Sequence, residues 1–411
     1  MRNPDITFAA RGQQLADRLE ELGQVSDEPG RLVRTFLSPG SLRANALVGG
    51  WMREAGLTVR EDAFGNLIGT RPGPAGSRTL VIGSHLDTVV DAGRFDGPAG
   101  VLLGIAVAAA LPELPFTLEV AGFADEEGVR FQSTYLGSRA YAGLITEEEL
   151  ALRDAEGISV RELVAARRAA GFPDQPAAAP DLLGYLEIHI EQGPVLEAAG
   201  LPLAVVPDIA GQTRILAGFT GKAGHAGTTP MALRHDALTA AARVVLEAER
   251  LAMEQPPLLA TVGKLEVQPG AGNVIPGQVS FMLDVRHPED AARESAITAL
   301  QDYGEALAWE RGLAWHWEIK QSHAAVACDP GLTSLLRAAV AAGQDRVPEI
   351  LSGAGHDAAV MAGVSPATML VVRCRGGLSH HPDEYASPAD LAAALEAAVR
   401  FVLSLAAHPH V

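Results

Sequence analysis

Two short apolar runs in this chain are each followed at once by polar or acidic residues. The first covers residues 79–83 and leads into Ser-His-Leu-Asp, and the second covers residues 117–123 and leads into Ala-Asp-Glu-Glu. An Ala- and Leu-rich stretch between them, residues 97–111, predicts a helix. Strand, helix and strand at this spacing predict a βαβ unit with a mostly parallel sheet. Because such sheets bind ligands at the carboxyl ends of their strands, we expect a site at this edge.

The composition is that of an acidic globular chain. Its 411 residues include 50 Asp and Glu against 32 Lys and Arg, which gives a formal net charge of −18. Because this charge repels phosphate groups, it argues against a nucleic-acid or anionic-membrane partner. The longest apolar run, residues 101–111, is too short to cross a bilayer. With two cysteines and no apolar signal core after Met1, we expect a cytoplasmic protein.

A different pattern interrupts the α/β texture between residues 212 and 325. Strand, helix, strand, strand, helix and strand are predicted there in that order, with the helices over 236–253 and 290–311. This order is typical of a ferredoxin-like α+β domain. We therefore predict an α/β domain formed by residues 1–211 and 326–411, interrupted by an α+β domain at 212–325.

Four segments of the chain supply a mixed set of histidines and carboxylates. Each has an ordinary explanation by itself, because strand-end histidines, solvated acidic loops and exposed turns are common. Together they suit two divalent cations such as Zn²⁺ or Mn²⁺, with one carboxylate between them. They do not suit a Cys-rich structural zinc site. The members of the set are His85, Asp96, Glu127, His189 and His380.

Further carboxylates accompany this set. Asp87 lies two residues after His85, where a carboxylate can accept the second ring N–H of a metal-bound histidine. Glu126 lies directly before Glu127, and adjacent glutamates can divide the work between a metal ligand and a general base. The residues alone leave open which glutamate has which role.

Three further motifs complete a pattern that resembles the dinuclear metallo-amidohydrolases related to aminoacylases and carboxypeptidases. The motifs are His-Ile-Glu-Gln-Gly at 189–193, Gly-His-Ala-Gly-Thr-Thr-Pro-Met at 224–231 and Ser-Gly-Ala-Gly-His-Asp-Ala at 352–358. They mark the branch of allantoate amidohydrolases, N-carbamoyl-L-amino-acid hydrolases and β-ureidopropionases. The resemblance covers residues 25–405. It implies a zinc-exopeptidase-like catalytic domain with a mostly parallel central sheet, interrupted by a ferredoxin-like dimerisation and lid domain.

The resemblance also implies a role for each residue of the metal site. His380 is assigned as a ligand, rather than the adjacent His381, because it directly follows Ser379. Glu126 is implied to be the general base acting on a metal-bridging hydroxide, and Asp87 to support His85. Zn²⁺, Mn²⁺ and Co²⁺ all fit such ligands. The implied ligand sets are His85, Asp96 and His189 for one ion, and Asp96, Glu127 and His380 for the other.

Most of the implied substrate contacts lie in the inserted domain. Arg286 is implied to bind a substrate carboxylate, for which its planar guanidinium group is suited. His225 is implied to come from the partner subunit of a homodimer and to stabilise the developing oxyanion. The other implied contacts are Gln192, Gln212, Asn273, Gly355 and His356.

Enzymes of this branch hydrolyse a ureido or carbamoyl group next to a carboxylate, so the resemblance implies a small anionic ureido substrate. Segments 34–41, 131–138 and 373–377 look most like plant-type allantoate amidohydrolases. They favour allantoate, with ureidoglycine, ammonia and CO₂ as products. N-carbamoyl-L-amino acids and β-ureidopropionate stay as alternatives. A dipeptidase, an N-acyl-amino-acid deacylase or a non-catalytic scaffold is less favoured, because the ureido-branch motifs and the ligand set are complete.

Overall fold

The computed structural model describes residues 7–174 and 181–408, which fall into two compact units. The first unit contains residues 1–207 and 328–411, and the second contains residues 208–327. The second unit thus begins four residues before the predicted boundary at 212 and ends two residues after the predicted boundary at 325. No helix within the described ranges is both long enough and apolar enough to cross a membrane.

The helices and strands follow the chain in three stretches. Before the insertion they are α1 (Phe8–Gly23), α2 (Pro39–Glu54), β1 (Thr58–Glu61), β2 (Leu67–Arg71), β3 (Thr79–His85), α3 (Pro98–Ala110), β4 (Thr117–Phe123), α4 (Leu136–Tyr141), α5 (Glu147–Ala151), α6 (Val160–Ala169), β5 (Leu182–Ile190), α7 (Val195–Ala199) and β6 (Leu203–Val206). In the second unit they are β7 (Asp208–Ile209), β8 (Gly211–Thr220), β9 (Gly224–His225), α8 (Ala237–Glu254), β10 (Leu259–Gln268), β11 (Val274–Ile275), β12 (Gln278–His287), α9 (Asp290–Arg311), β13 (Ala314–His323) and β14 (Val326–Ala327). After it come α10 (Pro330–Ala341), α11 (Asp357–Met361), β15 (Ala367–Val372) and α12 (Pro388–Ala407).

A mixed sheet lies at the centre of the first unit. Among the described residues its strand order is β1-β2-β4-β3-β5-β15-β6. The four central strands run parallel, whereas the flanking pairs are antiparallel. Strands β3 and β5 are buried at every position, as expected for parallel strands covered on both faces. The predicted α/β class with a mostly parallel central sheet is confirmed.

Helix α3 packs directly on this sheet. Its sequence carries no charged residue, and most of its side chains are buried. A methyl group at Gly100 would lie 1.9 Å from the carbonyl oxygen of Ile188 on β5, so only glycine permits this close approach. The packing holds the start of α3, and with it the preceding residue Asp96, near the end of β5.

The N-terminal segment is helical only in part. Residues 11–56 are predicted to be mostly helical, but α1 and α2 are separated by residues 24–38 without a helix. Helix α2 begins anew because the Ser38 side chain accepts the N–H of Ser41 and Pro39 occupies the first helical position.

The second unit has the element order β8-α8-β10-β12-α9-β13. Its antiparallel sheet has the strand order β10-β12-β8-β13, and α8 and α9 pack against that sheet through one apolar core. This is the split βαβ arrangement expected of a ferredoxin-like domain. Its implied part in dimerisation and closure stays a prediction.

Candidate metal centre

The five predicted metal ligands all lie near the carboxyl ends of the central parallel strands. This is the edge at which α/β sheets bind their ligands. His85 lies at the end of β3 and His189 at the end of β5, whereas Asp96 directly precedes Gly97 and α3. Glu127 lies in the loop after β4, and His380 lies in the loop after β15. The structure brings these five residues together.

A first group is formed by His85, Asp96 and His189, all of which are buried. Oδ1 of Asp96 lies 3.0 Å from Nε2 of His189 and 3.8 Å from Nε2 of His85. Nδ1 of His85 donates to the carbonyl oxygen of Asp87 at 3.1 Å, and Nδ1 of His189 donates to that of Ile190 at 3.0 Å. With the proton on Nδ1, each ring presents the lone pair of Nε2 to the same carboxylate oxygen.

A second group is formed by Asp96, Glu127 and His380. Nε2 of His380 lies 3.1 Å from Oδ2 of Asp96 and 3.4 Å from Oε1 of Glu127. These two carboxylates raise the pKa of His380 to about 10, and its side chain is 49% exposed. The neighbouring His381 accepts the N–H of Asp383 on Nδ1 and belongs to none of the possible ligand groups among the described residues. The two oxygens of Asp96 therefore face different groups, as a bridging carboxylate would.

The local packing and the donor types fit a pair of divalent cations. Gly97, next to the shared Asp96, has φ +79, and a methyl group there would lie 2.4 Å from the His85 ring. Only glycine therefore lets the Asp96 loop pass this close to His85. Imidazole nitrogens and carboxylate oxygens are donors that suit Zn²⁺ and Mn²⁺.

Asp87 connects the His85 segment to the acidic loop after β4. Its carboxylate accepts the backbone N–H of Glu126 at 3.1 Å and that of Glu127 at 3.2 Å. The same carboxylate lies 3.6 Å from Nδ1 of His85. The carbonyl oxygen of Asp87 lies closer to this nitrogen, at 3.1 Å. The Asp87 side chain therefore orients the two glutamates, and its main chain orients the histidine.

Glu126 is 7% exposed and lies beside the first group. Burial raises the pKa of Glu126 well above its usual value; His85 opposes this shift, and the charge of Glu127 adds to it. One of its carboxylate oxygens lies within 4.8 Å of a ligand atom of His85 and of Glu127. A carboxyl group in this position is suited to exchanging a proton with a molecule bound at the centre.

Gly355 and His356 lie beside the same centre. The His356 ring is buried and packs edge-on against His189, with 4.6 Å between the ring centroids. Nε2 of His356 is 2.7 Å from the hydroxyl of Ser352. A methyl group at Gly355 would lie 1.8 Å from the hydroxyl of Tyr135, so the phenol fills the space that this glycine leaves.

The second unit pairs Gln212 with Arg286. The two residues face each other across β8 and β12. Arg286 donates from Nε to Oδ1 of Asp284 at 2.7 Å and from a terminal nitrogen to Oδ2 at 3.0 Å, and Gln212 donates to the same Oδ2. Although burial opposes it, Arg286 lowers the pKa of Asp284. Asp284 therefore fixes the plane of the Arg286 guanidinium group.

The second unit also brings His225 and Asn273 together. They lie on neighbouring segments, where the N–H of Ala226 donates to the carbonyl oxygen of Asn273 at 3.0 Å. His225 pairs with Val274 between β9 and β11, and its side chain is exposed. Both residues are thus presented on one short two-stranded ribbon.

Comparison with known proteins places the chain in a family. Residues 81–404 match the family described as Peptidase family M20/M25/M40. The chain belongs to this family. It is 42% identical to a probable allantoate deiminase from Oryza sativa subsp. japonica, over 94% of this chain and 87% of that protein. It is 41% identical to the N-carbamoyl-L-amino acid amidohydrolase of Geobacillus stearothermophilus, over 96% and 99% of the two chains.

A solved structure agrees with this assignment. A hydantoinase/carbamoylase family amidase from Burkholderia multivorans has a TM-score of 0.91 and 37% identity, and the match covers 96% of this chain and 98% of that one. The predicted kinship with allantoate amidohydrolases and N-carbamoyl-L-amino-acid hydrolases is confirmed, and so is the prediction of an amidohydrolase. M20 enzymes are metal-dependent, and the described residues of this chain include groups that could hold metal ions.

Sequence reasoning about this M20 chain missed several contacts around Asp96. The amide of Gln192, whose contact with substrate stays a prediction, donates to Oδ2 of Asp96 at 3.1 Å and to the Ser379 hydroxyl at 3.1 Å. The buried Glu384 accepts the N–H of Phe95 and that of Asp96. Glu384 follows His380 in the sequence, but its partners Phe95 and Asp96 lie 289 and 288 residues away. A single glutamate with such distant partners has no recognisable signature in the sequence.

Proposed function

We propose that this protein hydrolyses the terminal ureido group of allantoate to give ureidoglycine, ammonia and CO₂. The observation that carries the proposal is that two ligand groups share Asp96 and lie beside Glu126. Similarity to an allantoate deiminase over nearly the whole chain supports the choice of substrate. N-carbamoyl-L-amino acids are the second candidate, because identity to an N-carbamoyl-L-amino acid amidohydrolase is almost as high.

The proposed enzyme holds two divalent cations, Zn²⁺ or Mn²⁺, with Co²⁺ as a further possibility. When bound, such ions polarise a carbonyl group and lower the pKa of water. Asp96, which belongs to both ligand groups, would be shared by the two ions. The first position has His85 and His189 as its further ligands, and the second has Glu127 and His380.

Glu126 is the proposed general base. It takes the proton from the attacking water and delivers it to the leaving nitrogen of the ureido group. The hydrogen bonds from its own N–H and that of Glu127 to the Asp87 carboxylate hold the loop in one conformation. Such fixed orientation lowers the entropy lost when the reacting groups come together.

Residues of the second unit are proposed to bind the substrate. Arg286 holds the substrate carboxylate in two parallel hydrogen bonds, and Asp284 keeps the guanidinium plane in place for it. Gln212 and Asn273 contribute polar contacts. His225 donates to the oxygen on which negative charge develops. In the first unit, Gln192, Gly355 and His356 complete the proposed contacts.

The proposed assembly is a cytoplasmic homodimer in which His225 acts on the partner's site. Exposed apolar side chains on the second unit support a subunit interface: Leu246 is 63% and Met253 78% exposed on α8, and Leu259 is 51% exposed on β10. The two cysteines, Cys328 and Cys374, are free and buried, which agrees with a reducing compartment.

A substrate panel with metal-depleted and metal-restored protein tests the proposal. Ammonia and CO₂ release is measured with allantoate, N-carbamoyl-L-amino acids and β-ureidopropionate, and release of free amino acids is measured with dipeptides, each with and without added Mn²⁺ or Zn²⁺. We expect the highest kcat/KM for allantoate and loss of turnover after metal removal. Higher kcat/KM for a carbamoyl amino acid selects the second candidate, and turnover of dipeptides alone rejects both.

A further inference from the structure

We propose that Glu384 is a positioning residue for the second ligand group, because it ties the loop that carries His380 to the loop that carries Asp96. The proposal rests on the metal centre proposed above. Glu384 contacts neither a ligand side chain nor a substrate residue directly. It acts through backbone amides and through the hydroxyl of Ser379.

The Glu384 carboxylate makes contacts at both of its oxygens. Oε1 accepts the N–H of Phe95 at 2.7 Å and the N–H of Asp96 at 2.9 Å. Oε2 lies 3.3 Å from the hydroxyl of Ser379. Glu384 is 2% exposed, so these bonds are shielded from competing water. A single carboxylate therefore fixes the main chain of Asp96 relative to the segment between Ser379 and Glu384.

Ser379 extends this connection to the shared ligand. Its one hydroxyl hydrogen is shared between Oδ2 of Asp96 at 2.7 Å and Oε2 of Glu384 at 3.3 Å, and its oxygen accepts the amide of Gln192 at 3.1 Å. Oδ2 is the oxygen that faces His380. The connection from Glu384 thus ends on the Asp96 oxygen that belongs to the second group.

The two ligand groups differ in how the fold supports them. His85 and His189 lie on β3 and β5, where neighbouring strands fix their main chain. His380 lies in a loop with φ +55, which is costly for a non-glycine residue and persists only where surrounding contacts hold it. Loss of Glu384 is therefore expected to loosen the second position more than the first, which shares Asp96 but keeps two histidines held by strands.

Gly93 supplies an independent observation. A methyl group at Gly93 would lie 2.4 Å from three atoms of the Glu384 side chain, including Oε1. The absence of a side chain there lets the carboxylate reach the amides of the Asp96 loop. Gly93→Ala is therefore expected to displace Glu384 without changing its chemistry.

The test is Mn²⁺ binding to metal-free protein, with free Mn²⁺ followed by electron paramagnetic resonance. We compare wild type with Glu384→Ala, Glu384→Gln, Gly93→Ala and the control Glu119→Gln. Glu119, on β4, is also a buried carboxylate, but it accepts hydrogen bonds from Tyr141 on α4 and Thr70 on β2. Glutamine at 384 keeps an oxygen that can accept the two N–H groups, so it serves as the conservative replacement.

We expect Glu384→Ala and Gly93→Ala to weaken the second Mn²⁺ about tenfold or more, the scale seen when residues supporting metal ligands are lost. The first Mn²⁺ is expected to be weakened less than the second in these two variants, because it shares only Asp96 with the loop that Glu384 holds. Glu384→Gln is expected to stay within about threefold of wild type for both ions, and Glu119→Gln to match wild type. If wild type binds two ions and all variants do so with unchanged affinity, the role of Glu384 is refuted and the metal centre stands. If wild type itself binds fewer than two, the metal centre is refuted. Should Glu384→Ala not fold, Gly93→Ala decides by the same criterion.

Discussion

At the scale of single residues, two adjacent glutamates are assigned opposite tasks. Glu127 has its carboxylate 3.4 Å from His380, within the second ligand group. Glu126 is more deeply buried and carries a carboxyl group whose pKa burial raises. The Asp87 carboxylate accepts both of their N–H groups, so one fixed loop presents both side chains to the site.

Replacing Glu126 by Gln is expected to lower kcat by at least about 10²–10⁴-fold with near-normal metal content, because a base is lost and not a ligand. Glu127→Gln is the matched control, in which the metal content itself falls. Metal per chain is measured by mass spectrometry after dialysis, and kcat by ammonia release. Reduced metal in Glu126→Gln with full occupancy in Glu127→Gln would show that the two roles are exchanged.

Replacing Arg286 by Lys tests the proposed carboxylate contact. An ammonium group cannot form two parallel hydrogen bonds, so KM for allantoate is expected to rise about tenfold with a smaller change in kcat. Arg214, which reaches the same Asp284 at 3.2 Å, provides the control: Arg214→Lys is expected to change KM less than about threefold. An unchanged KM in Arg286→Lys removes Arg286 from the substrate site.

At the scale of elements, the buried Arg34 ties the end of α1 to the end of β3. Its Nε donates to the carbonyl of Leu86, and one terminal nitrogen donates to the carbonyls of Leu22 and Val25, at 3.0, 3.0 and 3.1 Å. Burial lowers the pKa of Arg34 to about 10, against the opposing charge of Asp87. The hydrogen bond of Arg34 to the carbonyl of Leu86 supports the segment that directly follows His85.

Replacement of Arg34 by Met is expected to lower the free energy of unfolding by about 3 kcal/mol, because three buried carbonyls lose their donor. Arg168→Met is the control, since Arg168 is half exposed and pairs with the exposed Asp174; it is expected to cost less than about 1 kcal/mol. Urea unfolding of the metal-free proteins measures both. Equal midpoints for the two variants would contradict the assigned role.

Helices and strands that have a local sequence pattern, such as a helix-ending glycine or an apolar run, could be predicted from the sequence. Elements and contacts without such a pattern could not. Helix α9 has the predicted bounds because Gly312 adopts φ +62 directly after its last turn. The five proposed ligands could be grouped from the sequence because four of them end or follow recognisable strands and Asp96 precedes a recognisable helix. The short helices at 136–169 have no long apolar period. The contacts of Glu384 and Arg34 depend on main-chain groups of distant segments, which no spacing in the sequence reveals.

At the scale of the whole molecule, the net charge of −18 does not describe the proposed site. The proposed substrate is an anion, and the charge that would bind it belongs to Arg286. Part of the acidity, Asp96 and Glu127 in particular, is proposed to face divalent cations that offset it. The residues proposed for catalysis lie in the first unit, whereas those proposed to bind the carboxylate and the oxyanion lie in the second.

The proposed homodimer with a shared site predicts that activity depends on two chains together. In a purified heterodimer of Glu126→Gln and His225→Ala chains, one site would combine an intact Glu126 with the partner's intact His225, and the other would lack both. We therefore expect each homodimeric variant to be nearly inactive and the heterodimer to recover about half of the wild-type activity.

The control for this experiment is a heterodimer of Glu126→Gln and Glu127→Gln chains. Both residues belong to one loop of the first unit, so each site keeps one defect and no recovery is expected. Because the His225 side chain is exposed, His225→Ala is expected to unfold at the same temperature as wild type, which separates loss of function from loss of fold. Full activity of the His225→Ala homodimer would remove His225 from the site. An inactive Glu126→Gln/His225→Ala heterodimer would instead place His225 in the same chain as the glutamate it serves.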